Sequence, residues 1–137
     1  MTTARDLMTV DPVSIRETDT LVVAARTMRD RALFSLPVCA EGQLLTGVIT
    51  DRDIVVGCVA DGGDPWTTTA GQLADGTPVV LAADGGIEEA LQLMASRRVR
   101  RLPVVDESGR LVGDLHEAAV AIALPELAIA QARRTRV

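Results

Sequence analysis

The sequence predicts an α+β protein assembled from two copies of one strand, helix, strand, strand, helix unit. Three observations predict it. Laid on itself at a shift of 66 residues, the separation of Pro37 from Pro103, the chain matches Leu21 to Ile87, Ala24 to Ala90, Met28 to Met94, Leu36 to Leu102, Gly47 to Gly113 and Ile54 to Val120. Within each copy the apolar pattern changes in the same order, from helical spacing to short aliphatic runs. A turn carrying Gly42 or Gly109 then separates two such runs, as expected of neighbouring strands.

Each element follows from its residues. The stretches PVSI and PVVL, which begin at Pro12 and Pro78, read as brief extended segments. Leu21, Ala24, Ala25 and Met28, and in the second copy Ile87, Ala90, Leu91 and Met94, fall at i, i+3, i+4 and i+7, the buried stripe of an amphipathic helix. Asp19, and Asp84 or Gly85, stand where these helices start and are candidate caps. SLPVC and RLPVV read as strands whose prolines, Pro37 and Pro103, restrict them to an edge or to the beginning of pairing. LLTGVIT and RLVGDLH are the next strands, followed by short helices from Asp51 and Glu117. The loop ADGGDPW, Ala60 to Trp66, joins the copies, and a last helix is expected from Pro125 to Arg134. The implied organisation is 4–60 and 70–122 for the repeats, 61–69 for the linker and 123–137 for a C-terminal helix and tail.

Composition narrows the function. A net charge of −5 opposes indiscriminate attachment to nucleic acid, and one Phe and one Trp, Phe34 and Trp66, make a poor base-stacking platform. Apolar runs are too short to span a membrane and the start MTTARDLM lacks a signal-peptide core, so a cytoplasmic protein is expected. Cys39 and Cys58 form no disulfide framework and match no zinc spacing; both are expected as reduced thiols. No Ser/His/Asp or Cys/His constellation is legible, which argues against an enzyme.

RDLM near the start, LPVC, GVITDRDI and RRLPVVDESGRLVG together resemble the tandem CBS domain, the Bateman module, over about residues 4 to 122. TDRDIV with the later DP and TAGQLA is similar to the small stand-alone CBS proteins of the hypoxia-response type. The resemblance implies two repeats packed through their sheets about a pseudo-twofold axis, two clefts between them, and homodimers. It also implies an adenosine-containing ligand, AMP, ADP, ATP or S-adenosylmethionine, whose state is reported to a protein partner that the sequence does not identify.

Thr50 and Asp53, in GVITDRDI, have two readings. As a capping box, Thr50 accepts an N–H from the first helical turn and Asp53 reaches back to the amide of Thr50. As the family's ribose motif, Thr50 contacts ribose or phosphate and Asp53 accepts both vicinal hydroxyls, with Val48, Ile49 and Arg52 alongside. Arg52 would then sit at a helix N-terminus that favours phosphate. Arg97, Arg98, Arg100 and Arg101 form a basic run that reads as a solvated helix end, or with Arg101 or Arg97 over a phosphate.

The second copy departs from the motif: His116 stands for Thr50, Ala119 for Asp53 and Asp114 for Val48. A charge at position 114 on a strand is costly unless paired. One functional cleft is expected, or a second with different chemistry around Asp114 and His116. Although some proteins of the hypoxia-response type are associated with zinc, the spacing of His116, Cys39 and Cys58 supports no metal site. A ligand-free dimeric scaffold and, more weakly, a nucleic-acid binder using the arginines are the competing readings.

Overall fold

In the computed structural model, residues 1–74, 76 and 78–125 are described. The elements run α1 (Ala4–Leu7), β1 (Thr9–Val10), β2 (Ile15–Arg16), α2 (Leu21–Arg31), β3 (Ser35–Cys39), β4 (Leu45–Thr50), α3 (Asp51–Ile54), α4 (Ala70–Leu73), β5 (Leu81–Ala82), α5 (Ile87–Arg97), β6 (Arg101–Val105) and β7 (Leu111–His116). Residues 117–125 form α6, and α3 continues into a wider helical turn over Val55–Val59. The expected Pro125 to Arg134 helix lies, beyond Pro125, outside the described residues.

Two compact units result. The first comprises Pro12–Pro78 with Glu107–Leu111, and the second Met1–Asp11, Val79–Asp106 and the described residues from Val112 onward. The first holds a sheet ordered β2-β3-β4, the second a sheet ordered β1-β7-β6-β5. In both sheets the proline strand is internal, which the edge alternative does not allow. β2 pairs in parallel with β3 only at Val38 and Cys39, and β5 with β6 only at Val104 and Val105. Each proline therefore stands one residue ahead of that pairing, where its missing N–H leaves no bond unmade.

The two cores are one pattern used twice. Ile15, Leu21, Ala24, Met28, Leu36, Val38, Ile49 and Ile54 are buried together in the first unit. Leu81, Ile87, Ala90, Met94, Leu102, Val104, Leu115 and Val120 occupy the equivalent places in the second. The helical stripe is narrower than its spacing suggests: Ala25 is exposed and Leu91 half-buried. Both long helices end in a left-handed residue, Ala32 at φ 53° and Arg98 at φ 54°.

The caps fall later than expected. Thr20 accepts the Val23 N–H at 3.3 Å and Gly86 opens α5, while Asp19 instead accepts the Arg16 N–H at 2.8 Å and Asp84 lies 3.4 Å from the Arg5 guanidinium.

The leading helices are exchanged between the copies. α1 docks on the second unit, with Ala4 N–H bonded to Gly85 O at 2.8 Å and Arg5 N–H to Ala83 O at 3.0 Å. α4 makes the same pair of bonds in the first unit, from Ala70 N–H to Asp19 O at 2.8 Å and from Gly71 N–H to Glu17 O at 2.9 Å. Thr3 with Asp6, and Thr69 with Gln72, form matching capping boxes at the starts of these helices. Among the described residues no helix is long and apolar enough to cross a membrane.

Candidate functional site

The residues of GVITDRDI form the corner where β4 turns into α3. β4 pairs antiparallel with β3, Leu36 opposite Ile49 and Pro37 opposite Val48, and the Asp51 N–H extends this ladder to Phe34 O at 3.0 Å. Because backbone groups alternate between the two sides of an antiparallel strand, those of Ile49 face β3 while those of Val48 and Thr50 face outward. Among the described residues no strand takes that outer edge. Side chains alternate as well: Ile49 is 0% exposed in the core, whereas Val48 and Thr50 are half-buried on the opposite face.

Ile49 thus has its side chain in the core and its backbone in the ladder with β3.

Thr50 and Asp53 form the capping box. The Thr50 N–H bonds to Asp53 Oδ2 at 2.8 Å, and the Asp53 N–H to Thr50 Oγ1 at 3.0 Å. The carboxylate thus has one oxygen in the cap, and its Oδ1 makes no hydrogen bond among the described residues. Asp51, expected only as the first residue of the helix, completes the corner by accepting the Arg52 N–H on Oδ1 at 2.8 Å. Asp51 and Arg52 are exposed, Asp53 half-buried. The D-R-D spacing carried that signal, since Asp in a first helical turn is a standard partner for unpaired amides.

The equivalent positions in the second unit are built differently. Asp114, buried on β7, forms an ion pair with Arg101 on the neighbouring strand β6. Burial pushes its carboxyl up, against the opposing pull of Arg101 and His116. His116 Nδ1 accepts the Ala118 N–H at 3.0 Å, so the imidazole caps α6 where Thr50 caps α3. The outer edge of β7 is occupied by β1, which places Thr9 opposite Asp114 and Val10 opposite Gly113. Arg101, expected over a phosphate, has its guanidinium committed to Asp114.

Cys39 and Cys58 are both about 1% exposed, and burial raises the Cys39 thiol while a bond with Ser14 opposes the shift. Among the described residues no group of three or more His, Cys, Asp or Glu side chains is placed to hold a metal ion.

The family model for the CBS domain matches residues 4–58 and 70–126. Hypoxic response protein 1 of Mycobacterium tuberculosis is 45% identical over 131 residues, which span 96% of this chain and 91% of that protein. The CBS domain-containing protein YhcV of Bacillus subtilis is 33% identical over 135 residues, 96% of this chain and 86% of that one. Among solved structures, Hypoxic Response Protein I with two coordinated zinc ions superposes with a TM-score of 0.79 at 45% identity, covering 88% of this chain and 98% of that chain. The cytosolic domain of the Mg2+ channel MgtE in complex with ATP gives 0.73 at 32% identity, covering 86% and 47%. The two coordinated zinc ions belong to the first of these structures.

Proposed function

The chain belongs to the CBS domain family, as a pair of such domains, and on that premise we propose that it is a non-enzymatic regulatory module that binds one adenosine-containing ligand per chain. The observation that carries this reading is the Asp53 carboxylate. One oxygen is fixed by the Thr50 amide, and the other makes no hydrogen bond among the described residues. A carboxylate held in that way accepts ribose hydroxyls without first being ordered, and its charge-assisted bonds are about twice as strong as neutral ones.

The limit of one ligand rests on the second unit. Ala119 supplies no carboxylate, His116 spends Nδ1 on the Ala118 amide, and Asp114 is paired with Arg101. The capping role of Thr50 and Asp53 is compatible with this reading, because it uses one carboxylate oxygen only.

Titration calorimetry with AMP, ADP, ATP and S-adenosylmethionine tests the proposal. The expected result is saturable binding of at least one of them at one per chain; absence of binding by all four at millimolar concentration, or two equal sites per chain, contradicts it. A second reading, a ligand-free scaffold that pairs with another copy, draws on the exposed apolar row Val55, Val56 and Val59. It takes the lead if no ligand binds and sedimentation shows a dimer.

A further inference from the structure

The corners that start α3 and α6 hold equivalent places in the repeat, yet they are capped by different chemistry. At α3 the side-chain acceptors are the Thr50 hydroxyl and the carboxylates of Asp51 and Asp53. At α6 the Glu117 N–H bonds to Arg100 O at 2.8 Å and the Ala118 N–H to His116 Nδ1 at 3.0 Å. A ring nitrogen accepts only through a lone pair, so this second bond requires a neutral imidazole with its hydrogen on Nε2. His116 is the only histidine of the chain and is half-buried, open to protons from solvent.

From this we infer that the β7–α6 corner is a proton-sensitive helix cap: His116 holds the first turn of α6 while neutral and releases it when protonated. An imidazole takes up its proton between about pH 8 and pH 5, and the cation carries hydrogen on both nitrogens. It then turns Nδ1–H toward the Ala118 N–H, donor against donor, and sets positive charge at the positive end of a helix. Asp114 on β7 attracts that cation, but its carboxylate is already paired with Arg101 on β6. Glu117 on α6 is exposed, as are the cations ahead of β6, Arg97, Arg98 and Arg100. On α1, which docks on the same unit, Arg5 is engaged with Asp84 and Asp6 with Thr3. Val120 is fully buried and keeps α6 on the core, so release is confined to the residues ahead of it.

Two measurements on the full chain test this. Imidazole nitrogen shifts, read by NMR at the alkaline end of that range, report which nitrogen carries hydrogen. Nε2–H is expected; a ring with its hydrogen on Nδ1 overturns the inference. Amide hydrogen exchange at Ala118 and Ala119 is then followed across the range, each rate divided by that of an unstructured chain at the same pH. Protection should fall about fivefold from the alkaline to the acid end, the size of a typical cap, while Arg52 and Asp53 in α3 serve as the unchanged internal control.

His116→Ser supplies a cap that does not titrate in this range and should hold the protection constant, whereas His116→Ala should show the low value throughout. Protection in the wild type that does not respond to pH overturns the inference. So does an equal response in His116→Ser, which retains Asp114 and would assign the effect to that carboxyl instead.

Discussion

Replacing Asp53 by Asn separates the two roles of that carboxylate. In the cap, Oδ2 accepts the Thr50 N–H at 2.8 Å, and an amide oxygen accepts the same bond, so Asp53→Asn keeps the box and loses only its charge. The stability cost should be about 0.5 kcal/mol, against about 1 to 2 kcal/mol for Asp53→Ala, which leaves a half-buried amide without its partner. For a chain of 137 residues these figures amount to roughly 2 °C and roughly 3–8 °C in Tm. As a ribose clamp, however, the Asn side chain presents an NH2 where Asp53 Oδ1 stood, a donor facing hydroxyl donors. A ligand at a hundred times its Kd adds about 2.7 kcal/mol to the wild type, and that increment should be nearly abolished in Asp53→Asn. Differential scanning fluorimetry with and without the best ligand, on wild type and both variants, reads all of these quantities. Full ligand stabilisation retained in Asp53→Asn refutes the clamp, while a fall in Tm as large as that of Asp53→Ala refutes the account of the cap.

Three other outcomes are expected. Because burial raises the Asp114 carboxyl, folding favours its protonated form, so its stabilising contribution is present at acid pH and is lost as pH rises from about 4 through the raised value. Urea unfolding of wild type and Asp114→Asn across that window should show the difference moving in the variant's favour as pH rises; a difference that is flat or moves the other way counts against it. Cys39 and Cys58, both buried, should react with a thiol reagent only as fast as the protein unfolds, and rapid labelling of native protein contradicts their placement in the core. A Cβ at Gly113 would lie 2.8 Å from Met8 Cγ, so Gly113→Ala should cost about 1–3 kcal/mol, and Met8→Ala in the same background should recover part of it. Independent, additive losses would mean that the contact is not there.

The sequence by itself determined everything that depends on short windows. The repeat, the order of elements and the buried positions follow from hydrophobic period, which the equivalent residues Leu36 and Leu102 or Met28 and Met94 keep in both copies. The corner was legible too, because a capping box lies within four residues, and so was the need for a partner at Asp114. Where tertiary contacts choose among local options, legibility ended. Thr20 and Gly86 cap the long helices although Asp19 and Asp84 stand close by, since each aspartate finds another backbone or side-chain partner. The partner of Asp114 proved to be Arg101, 13 residues away, a side chain that the basic run had suggested for a phosphate. The exchange of α1 and α4 was furthest from reach. The bond from Ala4 to Gly85 joins residues about eighty positions apart, and no local propensity encodes which unit a four-residue helix will dock on. That choice belongs to the packing of Ala4 and Ala70, both fully buried, into cores whose other members come mainly from the opposite copy.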